Sequence, residues 1–395
     1  MDRKRQHFAP DRLALIGSLI GLASLFPAWL MLRPNRLAAG TGLGIWESLS
    51  TPQAAAITGL WVFCLVIGLV EWKRWRGLVL GIAANAILIL VFWAIGTGSS
   101  RLLAGEPGIA RASLGAGCWV ALAGAYTLIF AARRRLDNQP VWRHLVSWTG
   151  PVVLAVLIST GWLDSLSVLQ EYAGNRARFL QETLQHVRLF GSSVVIAAVL
   201  GIPLGVWATR NRYAEKPVFF ITSIVQTVPS LALFGILIAP LSALSFAYPA
   251  LRDLGIRGVG VTPAVIALTI YSLLPVVRNT YVGIRQVDPA AIDAGLGMGM
   301  SRWQVFFKVE ARLAAPLVLE GVRTAAVQAV GLTTVAALIG AGGLGWFVFQ
   351  GIGQAASDLI ILGAIPVIIM ALLVDAVMRV VVRLGTPKGV KGEGP

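Results

Sequence analysis

Ten runs of mostly apolar residues, each close to the roughly 17 to 25 residues that cross a bilayer as a helix, leave this chain few ways to fold. They lie near 13–32, 54–70, 77–95, 112–132, 145–163, 189–208, 218–239, 261–277, 314–339 and 358–378. In lipid each backbone polar group needs an internal partner, so runs of this length fold as helices. The chain is 56% hydrophobic and only 13% charged, against roughly a quarter charged in soluble domains. The expectation is an all-α polytopic membrane protein with about ten transmembrane helices. The first run is longer than a signal-peptide core, and Trp29, Leu30, Met31 and Leu32 close it without a small-residue cleavage pattern, so it is read as a retained helix.

The net charge of +15 is gathered in short clusters between the runs rather than along one helix face, which argues for a topological role and against nucleic acid. With the N-terminus inside, 23 of the 33 Lys and Arg residues fall in alternate, cytoplasmic segments. Both termini are then cytoplasmic, as is the connection holding Arg278, Arg285, Arg302, Lys308 and Arg312. Cys64 and Cys118 lie inside apolar runs, and His7, His144 and His186 are far apart with no HExxH pair. No disulfide framework or metal site is expected.

The texture changes along the chain. Residues 1–163 form an extension of about five helices, and 164–188 form an amphipathic segment charged enough to lie outside the membrane on the extracytoplasmic side. Residues 189–385 hold the remaining runs, with a long polar loop at 286–313, and the basic, glycine-rich tail 386–395 reads as disordered.

That loop is too long to be slack in a chain of short connections. Asp288 and Pro289 make a helix start, with Asp as cap and Pro at the first position. Small residues follow, then Gly295, Gly297 and Gly299 thin the surface before Trp303, Val305, Phe306 and Phe307 resume an apolar run. A short helix of this kind either offers a partner a close backbone approach or lies at the membrane interface on its own bundle.

The loop resembles the cytoplasmic coupling loop of binding-protein-dependent ABC importer permeases, whose pattern is E-A-A, three residues, G, nine residues, I-x-L-P. Asp293, Ala294 and Gly295 stand for E-A-A, Gly299 for the spaced glycine and Val309 for the apolar residue. Asp replaces Glu, Gly295 replaces the second Ala, and Ala311 and Arg312 stand where Leu and Pro are usual, so the loop should end less sharply. The resemblance extends over roughly Leu189 to Met378, including 192–211, 224–238, 262–284 and 321–345, and is to the osmoprotectant branch, which handles glycine betaine, choline, carnitine and related solutes.

The resemblance implies a type I ABC importer permease core in a bacterial inner membrane, moving solute by alternating access. It implies a cytoplasmic ATPase dimer docked on Asp293, Ala294, Gly295, Gly299 and Val309, an extracytoplasmic solute-binding protein, and a second permease chain, identical or homologous. No catalytic residue is expected and no cofactor on this chain, because ATP is used by the partner subunit. Another small solute, such as an amino acid, is the alternative within the same class.

Three further groups stand out. Gln226, Thr227, Pro229 and Ser230 in the seventh run, with Tyr271 and Pro275 in the eighth, combine helix breakers with hydrogen-bonding side chains, and form either a packed kink or the lining of a path. Glu320, Arg323 and Asp375 lie inside the last two runs; an ion pair between neighbouring helices, snorkelling and a gate all fit them. Gly340, Gly342 and Gly345 match GxGxxG, but no strand precedes them, so they mark a turn or close helix packing rather than a dinucleotide site.

An ion-coupled secondary transporter would place carboxylates at mid-membrane, whereas the 18 acidic residues here sit almost entirely in loops or at run ends. An intramembrane enzyme would need GxSxG, HExxH or a mid-span Asp pair, and none is present.

Overall fold

The computed structural model describes residues 10–70, 75–253 and 255–387; Arg3, Lys4, Arg5, Lys73, Arg74 and the tail beyond Pro387 lie outside the described residues. The chain forms two compact units, Met1–Gly174 and Asn175–Pro395.

The first unit holds α1 (Arg12–Ala23), β1 (Leu30–Arg33), β2 (Thr41–Leu43), α2 (Ile45–Ser48), α3 (Thr51–Leu69), α4 (Arg76–Leu103), β3 (Arg111–Leu114), α5 (Ala116–Arg135), α6 (Pro140–Ser159) and α7 (Ser167–Gly174). Helix α1 packs against α3 and α5 at very short range. A Cβ on Gly21 would lie 2.1 Å from the Trp61 ring, and one on Gly124 would lie 2.8 Å from the Gly21 nitrogen. Small residues allow this approach where no hydrophobic force separates helix from lipid. Asp11 caps α1 through the Ala14 N–H and pairs with Arg135 at the end of α5. Arg76, buried at the start of α4, donates to the last carbonyls of α3 at Ile67 and Gly68.

The expected first span, 13–32, is not one helix. Its helix ends at Ala23, and twelve residues reach only about 18 Å at 1.5 Å per residue, short of the bilayer core. Pro27 disfavours helix in the residue before it, and Trp29 folds back to donate its indole N–H to the Ser24 carbonyl at 2.7 Å. The apolar residues that follow become the central strand of an antiparallel sheet of order β2-β1-β3, with Leu30 opposite both Leu43 and Leu114.

The second unit holds α8 (Arg176–Arg210), α9 (Arg212–Thr227), α10 (Ser230–Ala247), α11 (Pro249–Asp253), α12 (Val261–Arg285), α13 (Pro289–Gly297), α14 (Arg302–Val305), a π turn (Phe306–Glu310), α15 (Ala311–Ala336), a 3-10 turn (Ala337–Ile339), α16 (Gly345–Gly353) and α17 (Ser357–Gly385). Helices α8, α12 and α15 form its centre, with α9 and α10 against α12, and with α16 and α17 against each other and α15.

Three boundaries differ from the sequence expectation. The stretch 164–188 is not one segment, because its last residues are the opening turns of α8. The seventh span, 218–239, is two helices that break at Val228 and Pro229. The loop ends at Ser301 rather than 313, since α14, the π turn and α15 run on as one helix to Ile339. Among the described residues nine helices are long and apolar enough to cross a membrane, so the chain is a multi-pass, mostly helical membrane protein.

Candidate functional site

The connection between α12 and α15 is ordered by local chemistry at both ends. The Asp288 carboxylate accepts from the Ala290 N–H at 2.9 Å, capping α13 as the Asp-Pro pair requires. At the other end Gly299 adopts φ +82°. Its N–H donates to the Leu296 carbonyl and that of Met300 to the Gly295 carbonyl, the paired bonds of a Schellman stop, for which glycine is the favoured residue. Gly299 is therefore needed by the backbone, beyond thinning the surface.

A second cap restarts the chain at once. The Ser301 hydroxyl accepts from the Gln304 N–H, and the Gln304 side chain accepts from the Ser301 N–H, a reciprocal capping box. The S-x-x-Q signature was legible in the sequence and marks the start of α14.

Asp293 and Ala294 lie exposed on α13, whereas Gly295 faces inward. A Cβ on Gly295 would lie 3.2 Å from Val305 Cγ2 and 3.7 Å from Val309 Cγ2, so two members of the motif, Gly295 and Val309, are neighbours. Helix α13 is thus seated on α14 and the π turn and presents a carboxylate outward. Beside it Trp303 is 73% exposed and stacks on Phe307. A cavity of about 450 Å³ lies between Ile292 and Leu296 of α13 and Val206 and Arg210 of α8, with Arg302, Trp303, Val305, Phe306 and Glu310 completing its wall.

The residues marked as a kink or a path are brought together deeper in the unit. Pro275 has no N–H for the Tyr271 carbonyl one turn earlier, and the Gln226 side chain donates to that carbonyl at 2.7 Å. The Tyr271 hydroxyl in turn donates to the Val228 carbonyl at the break before Pro229 and Ser230. Tyr271 is only 4% exposed, so its ring is packed rather than offered to an open space. Gln328 of α15, which sequence reasoning passed over, reaches Gln226 Oε1 at 3.5 Å.

Arg323 joins Glu320 at 3.0 Å and Asp375 at 2.7 Å, and Asp375 also takes Arg379 at 2.6 Å. The contact between Arg323 and Asp375 ties α15 to α17.

The glycine-rich turn 340–344 is held by side chains of α8. Glu182 accepts from the Gly343 N–H, Gln185 donates to the Ala341 carbonyl, and His186 accepts from the Leu344 N–H while its other ring nitrogen meets the Val330 carbonyl. Arg178 pairs with Glu182 and covers the Trp346 ring. The spacing Glu182, Gln185, His186 on one helix face was the available signal.

Residues 11–169 match the N-terminal domain of the ABC transporter permease YehY, and residues 201–387 match the family described as binding-protein-dependent transport system inner membrane component. The chain is 38% identical over 218 residues to the glycine betaine/carnitine/choline transport system permease protein OpuCB of Bacillus subtilis (strain 168), spanning 93% of that protein and 55% of this chain. It is 35% identical over 229 residues to the osmoprotectant import permease protein OsmW of Salmonella typhimurium, spanning 100% of it and 58% of this chain. To the carnitine transport permease protein OpuCB of Listeria monocytogenes it is 39% identical over 226 residues, spanning 96% of that protein and 57% of this chain. Among solved structures, the MetNI methionine ABC transporter in inward facing conformations aligns with a TM-score of 0.46 and 20% identity over 53% of this chain and 96% of that one.

Proposed function

The chain belongs to the binding-protein-dependent permeases of osmoprotectant ABC importers, and from that premise we propose that it carries glycine betaine, carnitine, choline or a related solute across a bacterial inner membrane by alternating access. It is a transport component, not a hydrolase.

The observation that carries this reading is α13, a short helix capped at both ends, displaying Asp293 outward and seated through Gly295 on Val305 and Val309 of the helix that runs into the centre of the unit. A rigid, exposed helix joined to the core is what a motor subunit needs to push on. In this reading a cytoplasmic ATPase dimer docks on α13, which places this end and, two spans further on, the end of α17 in the cytoplasm. ATP stays with that partner, and this chain binds no cofactor.

An extracytoplasmic solute-binding protein delivers the solute at the opposite face. A second permease chain completes the path, and the exposed apolar side chains of α10 and α17, among them Ile236, Phe246, Ile368 and Leu372, face that chain or lipid. The path runs by the tied breaks of Gln226, Pro229, Ser230, Tyr271 and Pro275, whose bonds to one another hold the non-helical backbone beside it. Glu320, Arg323 and Asp375 hold α15 and α17 together as they move.

The test is uptake into vesicles holding the chain with its ATPase and binding protein. Uptake that needs ATP inside and persists when ion gradients are collapsed supports the reading; uptake by the chain alone under an ion gradient replaces it with a secondary transporter.

A further inference from the structure

Glu310 is the only acidic residue between Asp293 and Glu320, and it is 4% exposed at the end of the π turn. Lys308 and Arg312 lie two residues to either side of it, yet Glu310 pairs with Arg210, the last residue of α8 and 100 positions away in sequence. Stripping water from a carboxylate is costly unless a cation meets it in good geometry, so Glu310 is committed to that partner. The extra residue accommodated by a π turn shifts the helix register locally, and such turns recur at functional positions.

Two kinds of contact therefore link the α13 arm to α8. One is apolar: Ile292, Phe306 and Val206 belong to the same packed cluster. The other is the directional, charged contact between Arg210 and Glu310, with the guanidinium also near the Phe306 ring at 5.8 Å. Both adjoin the 450 Å³ cavity, space in which apolar side chains can slide when α13 is displaced. An ion pair across the same gap does not slide; it transmits or breaks.

We propose that Arg210 and Glu310 are positioning residues for coupling, a strut that carries displacement of α13 through the π turn to α8. The proposal rests on the permease reading above. In it Val305 and Val309 take the motion of α13, Glu310 holds the π turn to Arg210, and α8 moves with the arm rather than lagging behind it.

The experiment uses the full complex in vesicles and reads solute taken up per ATP hydrolysed, with the melting temperature of each purified variant alongside. For Arg210→Gln and Glu310→Gln the ratio should fall at least about tenfold, within the usual range of coupling between sites, while the ATPase still turns over. The reversed pair, Arg210→Glu with Glu310→Arg, should recover most of it. Arg210→Lys, which keeps the charge and loses the planar fork, should give an intermediate ratio and serves if a neutral variant fails to assemble.

A wild-type ratio in the single variants overturns the strut. So does a fall in uptake and ATP use in parallel with melting temperature, which marks a brace for folding, or a stable reversed pair with no recovery. Failure of the wild-type complex to couple uptake to ATP would instead strike the permease reading itself.

Discussion

The side chain of Gln226 donates to the main-chain carbonyl of Tyr271, a carbonyl left free because Pro275 has no hydrogen to give it. Through its hydroxyl Tyr271 returns a bond to Val228, so the α9–α10 break and the proline in α12 satisfy each other. Non-helical backbone at membrane depth survives only with such partners.

Gln226→Leu removes the donor and should lower stability by about 1–3 kcal/mol, the usual cost of orphaning a buried polar group. Pro275→Ala supplies the missing N–H from within the helix. In that background Gln226→Leu should cost about 1 kcal/mol or less, read by unfolding of the purified chain in detergent. An equal cost in both backgrounds would show that Gln226 does something other than complete Tyr271.

Gly299→Ala forces a side chain into φ +82°, which costs roughly 1–2 kcal/mol. The strain is local, so hydrogen exchange should quicken across residues 289–300 and stay unchanged in α12 and α15. Asp293→Lys reverses an exposed charge that makes no cap, and should leave exchange alone while weakening association with the ATPase. Wild-type co-purification of both variants would remove α13 as the docking element.

The parts of this fold that sequence revealed are those set by neighbours along the chain. Asp288 and Pro289 announce α13, and Pro229 marks the point at which the single expected span 218–239 divides, because capping and a missing N–H act within one turn. The strand at Leu30–Arg33 was hidden because a buried strand and a membrane helix share the same apolarity, and hydropathy does not see Trp29 bonding back to Ser24. The start of α14 was masked by reading Trp303 to Phe307 as loop, although Ser301 and Gln304 spell a capping box. Partners such as Gln226 with Tyr271, His186 with Leu344 and Arg210 with Glu310 are 45, 158 and 100 positions apart, and no local pattern specifies them.

Within the α15–α17 pair, Asp375 accepts from both Arg323 and Arg379, whereas Glu320, among the described residues, pairs with Arg323 alone and is more exposed. Asp375→Asn should therefore lower the melting temperature more than Glu320→Gln. Swapping Arg323 and Asp375 should recover part of the loss. The opposite order would mean that the i,i+3 pair within α15, not the link to α17, carries the stabilisation.

Asp11 offers a pH test in the first unit. Burial pushes its carboxyl pKa up, but the Arg135 hydrogen bond, the Ala14 N–H and the charges of Arg135 and Arg76 outweigh burial and hold it below the ordinary value. A depressed folded pKa gives stability that is complete above the unfolded value, about 4, and is lost as pH falls through the lower folded value. The melting temperature should drop over that acid window, and Asp11→Asn should remove this component of the drop. An unchanged acid profile in the variant would show that the Asp11–Arg135 pair contributes no linkage.

The most direct measurement is uptake of labelled glycine betaine and choline at high osmolality by cells lacking this chain, with and without its restoration on a plasmid. Restoration should recover uptake, depleting ATP should abolish it, and Asp293→Lys should leave the chain in the membrane without recovering it. Equal uptake with and without the chain, for both solutes, would contradict the osmoprotectant assignment.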